Sequence, residues 1–168
     1  MLLNNKKIKQ IKNRKITYVK KFTQNLNNYN FDILASLIDN YSLNVLNKNS
    51  FVFSDTWQVG RVHTAHTDFF VLLDFFYKIF KYTPEVRDGV DLFFSFVTNT
   101  GASHVDEEDI FLVGMLGKTL YRITDSGKDY ILEPGDLLYV PRGIRHKSMS
   151  LTPRIIASVG FLGGKSID

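Results

Sequence analysis

His104-Val105-Asp106, with His146 forty residues beyond the aspartate, sets two imidazoles and one carboxylate in an H-x-D…H order. These ligand types suit a non-haem Fe(II) centre, in which they occupy one face of an octahedral ion and leave the opposite face open to substrate and O2. The single-residue gap matters because residues i and i+2 of a strand project to the same side, so His104 and Asp106 can grip one ion. An H-x-D triplet alone is common by chance. The surroundings of His146 give it weight.

Those surroundings run Gly135-Asp-Leu-Leu-Tyr-Val-Pro141-Arg-Gly143-Ile-Arg-His146 and fit G-x5-P-x-G-x2-H at every fixed position. Glu133-Pro134-Gly135-Asp136 carries turn chemistry, with glycine supplying positive φ at little cost. Leu137 to Val140 reads as a short apolar strand, and Pro141-Arg142-Gly143 as a second tight turn that returns the chain with His146 facing inward. The string resembles the second motif of the cupin family.

The elements that must position these residues follow from the pattern. Residues 7–22 place Ile8, Ile11, Ile16, Tyr18 and Phe22 at spacings open to a helix or an early strand. The stretch 31–46, with Ile33, Leu34, Leu37 and Ile38 on one side and Asp32 as its expected N-cap, predicts a short helix. Residues 51–62, around the single Trp57, suggest an edge strand or loop, with the tryptophan packing. After Thr67-Asp68, the residues Phe69, Leu72, Leu73, Phe76, Ile79 and Phe80 recur at helical spacing, as in a helix packed hard on a core. From residue 91 onward short strands alternate with turns: 92–97, a turn at 99–101, 109–116, a hairpin at Gly117-Lys118, 119–123, a turn at 125–128, 130–132, 137–140, 147–151, a turn at Thr152-Pro153, and 154–161. Gly163-Gly164-Lys165 read as a frayed tail. Such spacing predicts a sandwich or barrel.

Over residues 96–161 the chain resembles the JmjC/cupin-like oxygenases, most closely their bacterial ribosomal-oxygenase branch. One shared phrase runs from Ser103-His104-Val105-Asp106 through Asp109-Ile110-Phe111 to Leu120-Tyr121-Arg122. The other is Leu132-Glu133-Pro134-Gly135-Asp136-Leu137-Leu138-Tyr139-Val140-Pro141-Arg142-Gly143-Ile144-Arg145-His146, followed by Ala157-Ser158-Val159-Gly160-Phe161. The resemblance implies a mostly β double-stranded β-helix (a jelly-roll or cupin barrel) preceded by helices. It further implies Fe(II) held by His104, Asp106 and His146, with 2-oxoglutarate and O2 as co-substrates for a hydroxylation of an unreactive C–H. In this family a lysine or arginine two residues after a glycine reaches the far carboxylate of 2-oxoglutarate, and that position here is Thr119. Lys118 and Arg122 flank it but point away by strand alternation unless the register shifts at Gly117. Arg154, at the start of the last strand, is a second source of the cation. Neutral hydrogen bonds from Thr119 and Tyr139 are a third, weaker than a bidentate guanidinium.

Composition bounds the remaining choices. The 168 residues suit a single domain, divided as a basic arm (1–22) and a JmjC/cupin-like domain (23–168) with a helical part (23–90) and a barrel core (91–168). No cysteine is present, which excludes disulfides and Zn-thiolate sites and fits a cytoplasmic setting. No apolar run approaches the ~20 residues of a membrane span, and the first residues lack the apolar core of a signal peptide. The net charge of +4 hides an asymmetry: residues 1–21 carry eight Lys/Arg and no acid, leaving 13 basic and 17 acidic residues for the rest. The arm could neutralise phosphates of a nucleic acid. It could equally be a solvated tail, since 11 of 12 asparagines fall within the first 50 residues, a sign of compositional drift.

His63 and His66 have a helical metal spacing without an acidic partner, and read as ordinary surface histidines. Glu107-Glu108-Asp109 reads as a solvated turn with Asp109 supporting the next strand. The expected activity is Fe(II)/2-oxoglutarate-dependent oxygenation of a protein side chain or a small molecule, with nucleic acid as a candidate partner and a homodimer through helix 69–80 as a candidate assembly. The alternatives are a metal cupin that does not use 2-oxoglutarate, for which Thr119 speaks, and a non-catalytic structural module with the same barrel.

Overall fold

A computed structural model describes residues 1–26, 28–41, 45–47, 56–82, 85, 88–96 and 101–162. Three α-helices, α1 (Asn5–Lys12), α2 (Phe31–Tyr41) and α3 (Thr67–Phe80), and ten strands make up the described chain. The strands are β1 (Thr17–Val19), β2 (Val45–Asn47), β3 (Trp57–Val59), β4 (Gly89–Ser95), β5 (Asp109–Leu116), β6 (Thr119–Ile123), β7 (Lys128–Leu132), β8 (Leu137–Val140), β9 (His146–Ser150) and β10 (Arg154–Phe161).

Seven strands form one sheet in the order β1-β8-β5-β10-β4-β3-β2, and three form a second, β7-β6-β9. All pairings are antiparallel. Consecutive strands change sheets, as β5 to β6, β7 to β8, β8 to β9 and β9 to β10 do, and this is the winding of a double-stranded β-helix. Gly117-Lys118 is therefore not the hairpin expected but a corner between the sheets. Gly117 takes φ of +68° there, and a Cβ would run into the carbonyl of Pro153. The turn at 125–128 does close a hairpin, β6 with β7, around Gly127.

Alternation along the large sheet sorts its side chains into two clusters. Phe111, Val113, Leu137, Tyr139, Ile155, Ala157, Val159 and Phe161 face the helices. Ile110, Leu112, Leu138, Val140 and Ile156 face the smaller sheet. Helix α3 closes the outer layer: Phe76 stacks on Phe111 with ring centroids 4.2 Å apart and lies between Phe22 and Phe80. Burying each such ring contributes about 1.5–3 kcal/mol relative to exposure. The aromatic face named as a candidate dimer surface is thus packed in the chain's own core, and Phe70 and Val71 are the exposed large hydrophobics of α3.

Before residue 90 the outcome departs further from expectation. The helix read over 31–46 ends at Tyr41, and 45–47 forms β2. Its cap is Asn30, whose Oδ1 accepts from Ile33 N at 2.9 Å, because the helix begins one residue before Asp32. Residues 1–22, read as a basic arm, pack on the rest of the chain. Ile11 and Phe22 are buried, and β1 extends the large sheet beside β8. Expectations for 51–55, 97–100 and the tail at 163–165 lie outside the described residues. No helix among the described residues is long and apolar enough to cross a membrane.

Candidate metal and co-substrate site

His146 opens β9, and His104 pairs with it across a short antiparallel bridge: each backbone N–H donates to the other's carbonyl at 2.9 Å. Asp106 follows two residues on, and its carbonyl accepts from Gly143 N at 3.0 Å, tying the loop to the turn of the P-x-G segment. Gly143 sits at φ of +80°, as the turn requires. These three backbone links bring the side chains together. The candidate ligand atoms of His104, Asp106 and His146 all lie within 4.8 Å of one another, and no second such group of three occurs among the described residues. The carboxylate stands 3.7 Å from His104 Nε2 and 3.5 Å from His146 Nε2.

The second nitrogen of each ring fixes its tautomer. His104 Nδ1 lies 3.0 Å from the carbonyl of Ala102, and His146 Nδ1 lies 3.0 Å from that of Ile144. A carbonyl only accepts, so Nδ1 carries the proton and Nε2 keeps a lone pair aimed at the carboxylate. Metal-ligating imidazoles are oriented in this way. Burial pushes the His146 imidazole below its ordinary pKa, and His104 lowers it further, against opposing effects of the Ile144 carbonyl and Asp106. Its neutral, ligating form is favoured. The donor set of two neutral imidazoles and one carboxylate fits Fe(II).

These residues line a cavity of about 450 Å3 between the sheets, which also receives Tyr121, Ser148 and Arg154. That volume lies within the range of small-ligand sites. Arg154 is 2% exposed. Its guanidinium reaches Thr119 Oγ1 at 3.5 Å and Ser148 Oγ at 3.4 Å, and the Tyr121 side chain lines the same cavity. Its Nε has no partner, and no described carboxylate pairs with it. A guanidinium stays charged even when buried. A charge so enclosed and incompletely satisfied calls for an anion.

Of the five residues expected to hold the co-substrate, Arg154 and Thr119 meet at this point. The other three do not. Lys118 Nζ pairs outside with Glu133 at 2.8 Å, and Arg122 makes two bonds to Asp129 at 2.7 and 2.6 Å, both following the alternation of β6. Tyr139 faces the helices against Phe111, because Leu138 and Val140 take the inward positions of β8. Sequence reasoning missed Ser148 as a partner of Arg154, although counting by two along the strand from His146 reaches it. It also missed Glu108, which lines the cavity and lies over Gly160 where a Cβ would collide with its carboxylate. His63 accepts from Val90 N at 3.1 Å, and His66 caps α3 and bonds the Tyr29 hydroxyl, so the two histidines serve separate structural contacts. Asp109 is buried and accepts from the Arg142 backbone, the support for β5 that was expected of it.

A family model described as JmjC domain matches residues 125–166. No curated protein matches. Among solved structures, Escherichia coli YcfD is similar over 96% of this chain and 53% of its own, with a TM-score of 0.70 and 20% identity. A structure of the same protein, titled a ribosomal oxygenase in complex with cobalt and 2-oxoglutarate, matches over 88% of this chain and 48% of its own, at a TM-score of 0.63 and 21% identity. Its complex with cobalt and succinic acid matches with a TM-score of 0.62, 22% identity and the same coverage. The chain thus spans about half the length of these relatives. The fold is of JmjC/cupin type.

Proposed function

We propose that this chain, JmjC-like in its fold and over residues 125–166, is an Fe(II)- and 2-oxoglutarate-dependent oxygenase. His104, Asp106 and His146 would hold the iron, and Arg154, steadied by Thr119, Tyr121 and Ser148, would bind the far carboxylate of 2-oxoglutarate. The observation that carries this reading is the buried Arg154 guanidinium, lacking a described carboxylate partner and sharing one cavity with the triad. Its position beside Thr119 supports 2-oxoglutarate over a cupin that does not use it. The similar fold of a ribosomal oxygenase crystallised with 2-oxoglutarate supports the same co-substrate.

Iron with 2-oxoglutarate supplies oxidising power for attack on an unreactive C–H bond. The chain's own part is preparation. The Ala102 and Ile144 carbonyls hold both imidazoles with Nε2 inward, and burial lowers the pKa of His146, which favours its ligating form. Arg154 fixes the co-substrate by its remote end, leaving the reacting end free to turn toward the triad, as binding energy from non-reacting groups does elsewhere. Ile110 and Leu112 give the cavity an apolar wall that limits water. The substrate class proposed is a protein side chain or a nucleic-acid-associated group, in keeping with a relative named a ribosomal oxygenase.

The test is turnover of labelled 2-oxoglutarate by anaerobically Fe(II)-loaded protein on admission of O2. Succinate is expected above an Asp106→Ala control. Equal succinate from both proteins would overturn the proposal.

A further inference from the structure

Residues 1–31 contain eight Lys/Arg and no Asp or Glu. The structure turns this compositional fact into a surface. Helix α1 faces inward with Ile8 and Ile11, so Lys6, Lys9 and Lys12 stand exposed, and Arg14, Lys15, Lys20 and Lys21 continue the positive surface around β1. The acids that reach it from other elements are few and already engaged. Asp109 is buried and bonds Arg14 Nη2 at 3.0 Å, Asp136 accepts from Tyr18 and Lys21 N, and Glu133 pairs with Lys118. The surface is also tied to the cavity. Asp109 holds both Arg14 and the backbone N–H of Arg142, whose neighbour Gly143 donates to the Asp106 carbonyl at 3.0 Å.

We infer that this surface docks structured RNA by contacts to the RNA phosphates. A membrane fits less well, because an interfacial helix inserts an apolar face and that of α1 is packed on the core. Recognition of DNA sequence would need a helix free to enter the major groove, and α1 is held against α3 and β1. Exposed amides stand among the cations at Asn5 and Asn13 and follow them at Gln24, Asn25 and Asn28. An amide both donates and accepts, which matches the ribose 2′-hydroxyl that distinguishes RNA. Exposed rings for base stacking are missing from described residues 1–26, where Phe22 is buried and the Tyr18 hydroxyl is bonded to Asp136, so the surface reads backbone rather than bases. This inference stands on charge and exposure and does not depend on the oxygenase reading.

The experiment is a salt-dependent anisotropy titration of the full chain with a labelled RNA hairpin of about 16 base pairs. Wild type is compared with K9Q/K12Q/K15Q and with K78Q/K81Q/K128Q, a control of equal net charge on other exposed faces. The first variant should bind at least about tenfold more weakly and lose roughly 2.7 from the slope of log K against log salt, as expected for three lost phosphate contacts. The control should stay within about twofold. A second variant, K6Q/K20Q, should weaken binding in the same direction, so that a folding defect in the first cannot decide the result. Equal weakening by the control, equal affinity for a DNA duplex of the same sequence, or binding only to phosphatidylserine vesicles would each overturn the inference.

Discussion

The two faces of the seven-stranded sheet are built from alternate residues of the same strands, yet they solve opposite problems. On β10, Ile155, Ala157, Val159 and Phe161 face the helices in a dry layer with Phe76 and Phe111. The intervening Arg154, Ser158 and Gly160 face the cavity, where a buried guanidinium is left with an unpartnered Nε. A sheet packed on one side can hold groups on the other whose hydrogen bonds are incomplete, because the packed side supplies the stability that the open side withholds. The proposed co-substrate site sits where local satisfaction fails.

The comparison can be broken in four ways. The largest effect falls on the cavity side. Asp106→Ala should abolish Fe(II) binding and succinate formation, measured by metal analysis and product assay, while circular dichroism melting changes little because Asp106 is not in the core. A collapse of the fold instead would merge the two faces into one. Next, Phe76→Ala on the helix side should cost about 3–5 kcal/mol in urea unfolding, and the surviving folded protein should keep its affinity for metal. Third, Arg154→Met should raise the KM for 2-oxoglutarate roughly 10- to 100-fold, the value of a charge-assisted hydrogen bond of about 1.5–3 kcal/mol. Arg122→Met, whose partner Asp129 lies outside the cavity, should leave the KM within about twofold. The smallest effect is in pH. Burial lowers the folded pKa of His146 and of His63, so the unfolded chain binds more protons just below their ordinary value of 6.5. Stability of the metal-free protein should therefore fall as pH drops through 6.5, with the fall reduced in His146→Gln. An unchanged pH dependence of the melting temperature in that variant would remove His146 from the account.

Much of this was legible in the sequence, for reasons that differ by region. From residue 89 onward each strand runs four to eight residues between turn signals, enough for alternation to show, and the triad stands in a motif whose turns are written in glycine and proline. Before that, β1, β2 and β3 are three residues each, too short for any period, and their pairing comes from partners far along the chain, such as Tyr139 opposite Thr17. Arg154 was one cation among three candidates. Alternation along β6 already argued against Lys118 and Arg122, but only the winding of the chain between sheets brings β10 against Thr119 and Ser148. Tyr139 stands inside the second motif, but its parity on β8 is opposite to that of Leu138 and turns it to the helices.

The most direct measurement is an anaerobic calorimetric titration of 2-oxoglutarate into the chain in the presence of Fe(II), repeated under the same conditions with Asp106→Ala and Arg154→Met. Saturable binding at one site per chain, weakened in both variants, is the predicted result. Binding that is absent in wild type, or unchanged when Arg154 is replaced, would contradict the assignment of this cavity to an Fe(II)/2-oxoglutarate oxygenase.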